Sequence, residues 1–158
     1  MNELMSDYVP TKMAALRWVN TLLEKLPRET NKFVGEMLPV LLKTLSDESD
    51  EVVLLVLQVL SRISLVADEF RRVLHAILQL FATDRRLLEV RGSLVVRKLC
   101  VLLNSKSVYI EISRVLSKDE FSLEFISTMV QVLNLILLTA QELQVRRGGV
   151  VGGKKLVQ

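Results

Sequence analysis

Four segments of the chain can be laid over one another on a single apolar frame: AALRWVNTLLEKL (14–26), VVLLVLQVLSRIS (52–64), SLVVRKLCVLLNS (93–105) and STMVQVLNLILLT (127–139). Their equivalent positions Leu16, Leu54, Val95 and Met129 lie 38, 41 and 34 residues apart. Within each segment the apolar residues recur at helical spacing. A unit of two helices repeating at this interval is the period of HEAT-type and armadillo-type solenoids. One unit cannot hide its apolar face alone, so stacked units bury a continuous core. The spacing therefore predicts an all-α, HEAT/armadillo-like helical solenoid of about seven antiparallel helices. They are expected over 11–26, 30–45, 50–66, 68–82, 86–103, 107–117 and 121–139, joined by the short polar corners LPRET, SDESD, ATDRR, NSKS and SKDE. Residues 1–10 form an N-terminal extension, 11–143 the helical repeat domain, and 144–158 a flexible, basic, Gly-rich tail.

Composition agrees with that reading. Half of the 158 residues are hydrophobic, 5% are aromatic, and glycine and proline together number nine, a mixture that favours helices over a β-sandwich or barrel. Mean hydropathy is high, at +0.35, yet the longest uninterrupted apolar run is Val52–Leu57. That is far short of the roughly 20 residues needed to span a bilayer, so helix stacking rather than a membrane accounts for it. No secretory leader is recognisable at the start, and a lone cysteine, Cys100, suits a reducing compartment. The net charge of +3 is misleading. The tail VRRGGVVGGKKLVQ (145–158) contributes four cations and no acid, and the residues before it carry a net −1. Nucleic acid is accordingly not an expected partner.

The acidic knot Asp47, Glu48, Asp50 and Glu51 raises the question of a metal loop. Asp47, Ser49 and Glu51 fall at loop positions 1, 3 and 5 of an EF-hand, but Val52 stands where glycine is needed and Gln58 where a bidentate glutamate is needed. The knot is instead a helical corner. Asp50 is expected to cap the second helix and Glu51 to sit in its first turn, where carboxylates meet free N–H groups and the positive dipole end. His75 and Cys100 are single copies on separate amphipathic helices, which supplies neither a nucleophile–base–orienter set nor a four-ligand zinc site. No nucleotide-binding or nucleophile-elbow motif occurs. The expectation is no catalytic residue, no cofactor and no metal. Arg71, Arg72, Arg85, Arg86, Arg91, Arg97 and Lys98 crowd into 71–98, either as a solvated face of the stack or as a surface for a partner or acidic lipid. Gly92 marks a helix start, a kink or a close approach by another backbone.

Three segments taken together go beyond generic repeats: TLSDESDEVVLLVLQVL (44–60), TDRRLLEVRGSLVVRKLCVLLN (83–104) and FISTMVQVLNLILLTAQEL (125–143). They closely resemble, in order and from about Thr11 to Leu143, the HEAT-repeat scaffold of the phosphatidylinositol 3-phosphate 5-kinase complex. This is the vacuole-segregation family of associated regulators of PIKfyve, and DEVVLLVL is most similar to its plant members. The resemblance implies a non-catalytic scaffold that binds a PIKfyve-type lipid kinase, a Sac-domain phosphoinositide phosphatase and other copies of itself. It would serve phosphatidylinositol 3,5-bisphosphate metabolism on the cytoplasmic face of endosomal and vacuolar membranes, held there peripherally by its partners and otherwise cytosolic. The matched part resembles the family's C-terminal, phosphatase-associated segment. Its LLEVRG run makes Leu87, Leu88, Glu89, Val90, Arg91 and Gly92 the candidate partner contacts. Glu89 and Arg91 lead, because charges are costly in a dry repeat interface. The leucines fit equally a helix start packed on its neighbour. From the residues alone, the alternative is a generic HEAT adaptor.

The family protein is several times longer, and the tail does not resemble its helical continuation, so the chain is expected to be a fragment, splice form or truncated gene product. A solenoid cut at both ends exposes apolar surface that neighbouring repeats would cover. The isolated chain is expected to self-associate at micromolar concentration. Light scattering that returns a monomer mass would count against this.

Overall fold

The computed structural model describes residues 2–65 and 67–139; the tail and the last few residues expected in the repeat domain lie outside these. After a 3-10 turn at Asn2–Met5, the described chain forms α1 (Val9–Lys25), α2 (Pro27–Asn31), α3 (Val34–Thr44), α4 (Asp50–Ile63), α5 (Ala67–Thr83), α6 (Arg85–Leu102), α7 (Ser105–Leu116) and α8 (Leu123–Thr139). Within the expected N-terminal extension, Leu4 is buried with the core.

Corner chemistry sets the boundaries. Ser49 Oγ accepts the Val52 N–H at 3.5 Å, Asp84 Oδ1 accepts the Leu87 N–H at 2.9 Å, and Asn104 Oδ1 accepts the Ser107 N–H at 3.1 Å. Ser122 Oγ does the same for the Phe125 N–H at 3.2 Å. Each short polar side chain thus satisfies an orphan donor of the helix that follows. The cap of α4 is Ser49 rather than Asp50. Asp50 is the first helical residue and joins Glu51 in the first turn.

One expected helix is broken. The span 30–45 divides into α2 and α3 across Lys32–Phe33, and LPRET is a turn of helix rather than an open corner. Pro27 starts α2 because its fixed φ suits a first helical position and its missing N–H is not needed there. The Thr30 hydroxyl donates to the Leu26 and Leu22 carbonyls at 2.8 and 3.2 Å, folding the short helix back on the end of α1. Phe33, at φ −100° and ψ 0°, leaves helical geometry and resets the axis for α3.

The helices form two layers. α1, α4, α6 and α8 pack side by side in that order; α3, α5 and α7 make the second layer, and each connection crosses between them. The four segments overlaid on sequence grounds are the first layer. Leu16, Val95 and Met129 are fully buried at the shared position, while Leu54 is only half-buried. The difference follows from position. α4 lies between α1 and α6 with α3 and α5 behind it, so it buries Val52, Val53, Val56, Leu57, Val59, Leu60 and Ile63 around most of its circumference. A frame read from one stripe drifts on a helix wrapped this widely.

The acidic knot is the tie point of the stack. Asp47 forms an ion pair with Lys12 of α1, their side chains 10% and 13% exposed, and its Oδ1 accepts the Ser49 N–H at 2.9 Å. From the other side Arg91 of α6, 11% exposed, pairs with the Asp50 carboxylate. Its Nη2 donates to the Asp47 and Glu48 carbonyls at 2.8 and 3.1 Å. One corner therefore clamps the neighbouring helices on both flanks. Burial alone would raise the Asp47 pKa, but the Lys12 hydrogen bond, the Ser49 N–H and the Lys12 and Arg91 charges outweigh it and hold the carboxyl below its ordinary value.

Removing the guanidinium leaves two corner carbonyls without their charged donor. Arg91→Ala is expected to lower the unfolding free energy by about 1.5–3 kcal/mol, read from the urea midpoint at unchanged slope; an unmoved midpoint would show that the corner holds by packing alone. Because the folded-state pKa of Asp47 is depressed, its contribution is fully present above the unfolded carboxylate value of about 3.9 and is lost as pH falls through the lower folded value. Asp47→Asn should flatten this acid limb of the stability–pH curve while lowering stability at neutral pH.

Candidate interaction surface

The LLEVRG run occupies the first two turns of α6, directly after the Asp84 cap. Its six residues do three different things. Leu87 and Leu88 are buried, and Gly92 is buried one turn beyond Leu88. A Cβ on Gly92 would stand 2.8 Å from Leu88 Cδ1, so the glycine makes room for its own helix's leucine. Gly92 lies inside α6, and the close approach there comes from a side chain and not from a second backbone. Arg91 is the corner clamp and turns into the chain. Glu89 and Val90 face solvent, Val90 at 69% exposure.

Glu89 accepts from Arg85 Nε at 3.0 Å, and Arg85 reaches Glu124 at the start of α8 at 2.9 Å. The hydrogen bond to Glu89 and then the Glu124 carboxylate strengthen the hold of Arg85 on its proton. Beneath this bridge is a cleft of about 140 Å³ whose floor is Phe81, Leu88 and Phe125. On the other side of the helix, Val90 and Arg86 overlook a polar groove of about 330 Å³ closed by Ser46, Glu48 and Asp84. Residues 86–90 are thus a ridge between two depressions.

The basic residues of 71–98 do not share one face. Arg71 lies 3.7 Å from Glu111 and Arg72 3.5 Å from Glu69 on the α5 layer, while Arg97 Nη2 donates to the Thr139 hydroxyl at 3.0 Å. Glu111 is itself buried and also takes Arg114 at 2.7 Å. Among the described residues no hydrogen bond or ion pair is made by the Arg86 and Lys98 side chains. Arg86 belongs to the basic cluster of 71–98 but not to the candidate contacts at 87–92. The signal for it is that α6 opens on two arginines with no acid in its first turn, the unfavourable sign for a helix N-terminus.

The two single-copy reactive residues are separately occupied. His75 Nε2 meets Glu120 Oε2 at 2.7 Å, with the ring edge-on to Phe121 at 6.4 Å between centroids. Cys100 is buried in α6, and that burial pushes its thiol pKa up to about 11. A thiol held protonated in an apolar core is a packing residue. No group of three or more His, Cys, Asp or Glu side chains able to hold a metal ion occurs among the described residues, nor does a helix long and apolar enough to cross a membrane.

Against this geometry, the family described as "Vacuolar protein 14 C-terminal Fig4p binding" matches residues 85–154, beginning at the first residue of α6. The chain is 45% identical over 141 residues to the "Protein VAC14 homolog" of Arabidopsis thaliana, which covers 89% of this chain and 19% of that protein. It is 37% identical over 142 residues to the protein of the same description in Schizosaccharomyces pombe, covering 89% and 17%. The "Vacuole morphology and inheritance protein 14" of Saccharomyces cerevisiae is 28% identical over 145 residues, covering 89% and 16%. No solved structure matches the chain. It spans less than a fifth of the length of these curated relatives. Over nearly nine-tenths of its length the chain is similar to these three VAC14-type relatives, and from the first residue of α6 it matches that family's C-terminal segment.

Proposed function

We propose that the chain is a non-catalytic scaffold element that helps assemble a PIKfyve-type phosphatidylinositol 3-phosphate 5-kinase with its Sac-type phosphatase for phosphatidylinositol 3,5-bisphosphate metabolism. The observation that carries the proposal is the coincidence of the Fig4p-binding match with α6 to α8, the elements that bear the exposed ridge. In this reading Glu89 and Val90 contact the phosphatase. Leu87, Leu88 and Gly92 seat the ridge on the core, and Arg91 fixes it to the acidic corner.

The remaining parts of the reading have their own supports. Self-association would use the uncovered side of α8, where Val130, Leu135 and Leu138 are exposed. Attachment to endosomal and vacuolar membranes would be peripheral and through partners, consistent with the vacuolar name of the yeast relative. The non-catalytic part of the reading is supported by His75 being paired with Glu120 and by Cys100 being buried on a separate helix. A generic HEAT adaptor is the second reading, favoured by the two-layer stack itself.

The test is co-purification of the lipid kinase and the Sac-type phosphatase with the tagged chain in cells of its own lineage, with Glu89→Ala/Val90→Asp alongside. Both substitutions fall on exposed side chains and leave the Arg91 clamp intact. Recovery of the phosphatase with wild type, and at least a tenfold loss with the double variant, is the expected result. Folded wild-type chain that recovers neither enzyme would leave the generic adaptor as the better account.

A further inference from the structure

α6 lies between α4 and α8, with α5 and α7 behind it, so among the described residues one side of it is left uncovered. That side is a stripe of Arg86, Val90, Ser93, Leu94, Arg97 and Val101, one or two residues from each turn. Val90 is 69% and Val101 47% exposed. The free side of the adjoining α4 continues it with Leu55, Gln58 and Arg62.

Three cations on this surface form no ion pair among the described residues. Arg62 lies 3.6 Å from Glu24, and Glu89 is engaged by Arg85. Arg86, Arg97 and Lys98 are left over, with Glu48 and Asp84 in the groove beside Arg86 and Glu51 on α4 as the nearby carboxylates. Arg97 is held only by a neutral hydroxyl. Arg86 sits against its own helix dipole and forms no ion pair among the described residues, although Glu48 and Asp84 line the same groove. A cation that the helix itself disfavours, left unpaired beside an open valine, serves something outside the chain.

We infer that the outer face of α6 docks an acidic amphipathic helix of a partner protein. This deepens the scaffold reading and rests on it where the partner is the phosphatase. Arg86 and Arg97 are eleven residues apart, three turns or about 16 Å along the axis. Carboxylates three turns apart on a partner helix would meet the two guanidiniums, and apolar residues between them would cover Val90 and Leu94. Such a helix lies along the stripe as in other helix-in-groove contacts. Anionic lipid fits less well, because a membrane-binding basic patch typically gathers four to eight cations, and here three are interleaved with apolar groups.

The full chain is titrated by fluorescence anisotropy with a labelled synthetic helix of Glu, Leu and Ala carrying that spacing, and with the same peptide bearing Lys for Glu. The acidic peptide is expected to bind, at least tenfold more weakly at about 0.5 M than at about 0.05 M salt, and the basic peptide not to bind. Arg86→Glu/Arg97→Glu should weaken the acidic peptide at least tenfold, while Lys43→Glu/Lys106→Glu on the other layer leaves it unchanged. The basic tail is common to all variants, so it does not enter the difference. Arg86→Glu alone should leave the melting temperature unchanged or raise it, which separates lost binding from lost folding. Equal binding by the double variant and wild type overturns the inference, as does stripe-dependent capture of phosphatidylcholine–phosphatidylserine vesicles without peptide binding. In co-purification, the double variant should lose the phosphatase that wild type recovers; full recovery also overturns the inference. Should wild type recover no phosphatase, the scaffold reading fails there and the peptide titration still decides this one.

Discussion

A guanidinium set among the oxygens of a neighbouring turn is the contact on which the order of this stack depends. Arg91 reaches from α6 to the corner between α3 and α4 and meets one carboxylate and two main-chain carbonyls. Those carbonyls follow the end of α3, where no further turn of helix can satisfy them. Lys12 holds the same corner from α1. Apolar packing within the layer is strong but directionless, and parallel helices with similar leucine faces could slide by a turn. Charged groups that find their partners at only one height remove that freedom, so the register of α1, α4 and α6 follows from one acidic corner. Arg85 to Glu124 and Arg97 to Thr139 play a weaker, exposed version of this part between α6 and α8.

This explains how much of the fold was legible in the sequence. The repeat of Leu16, Leu54, Val95 and Met129 reveals a layer because burial imposes a helical period directly on residue type. Periodicity does not report where a helix is interrupted without losing its apolar face. The break at Lys32–Phe33 was therefore invisible, although Pro27 and the Thr30 hydroxyl that folds back on α1 were both in view. The cap of α4 was misplaced by one residue for a related reason: Ser49 and Asp50 are both good caps, and only the backbone shows which is still extended.

For the candidate contacts, the sequence does not separate roles. It singles out 87–92 and ranks Glu89 and Arg91 together as charges unsuited to a dry interface. The structure separates them. Arg91 is nearly enclosed yet fully partnered, which is how a buried cation becomes tolerable, and Glu89 stands in solvent. Whether a charge points inward depends on which neighbouring corner lies at its height. That is a tertiary fact with no local signature. Arg86 did have a local signature, a cation in the first turn of a helix, and was passed over because the surrounding arginines were read as one patch.

The division of labour within α6 follows from the same geometry. Leu88 lies over Gly92, where a Cβ would stand 2.8 Å from its Cδ1, and it shares a cleft with Phe81 of α5 and Phe125 of α8. A helix fixed on its inner side by Leu87, Leu88 and Gly92, and on its flank by Arg91, has no freedom left to reorient its outer residues. Val90 and Arg86 consequently project from a helix whose backbone is anchored on two sides, and an anchored backbone lowers the entropic cost of docking. The residues that make the ridge rigid and those that face outward alternate along one six-residue run. On the proposed reading, a substitution at Arg91 would reduce partner binding through stability and one at Val90 through contact.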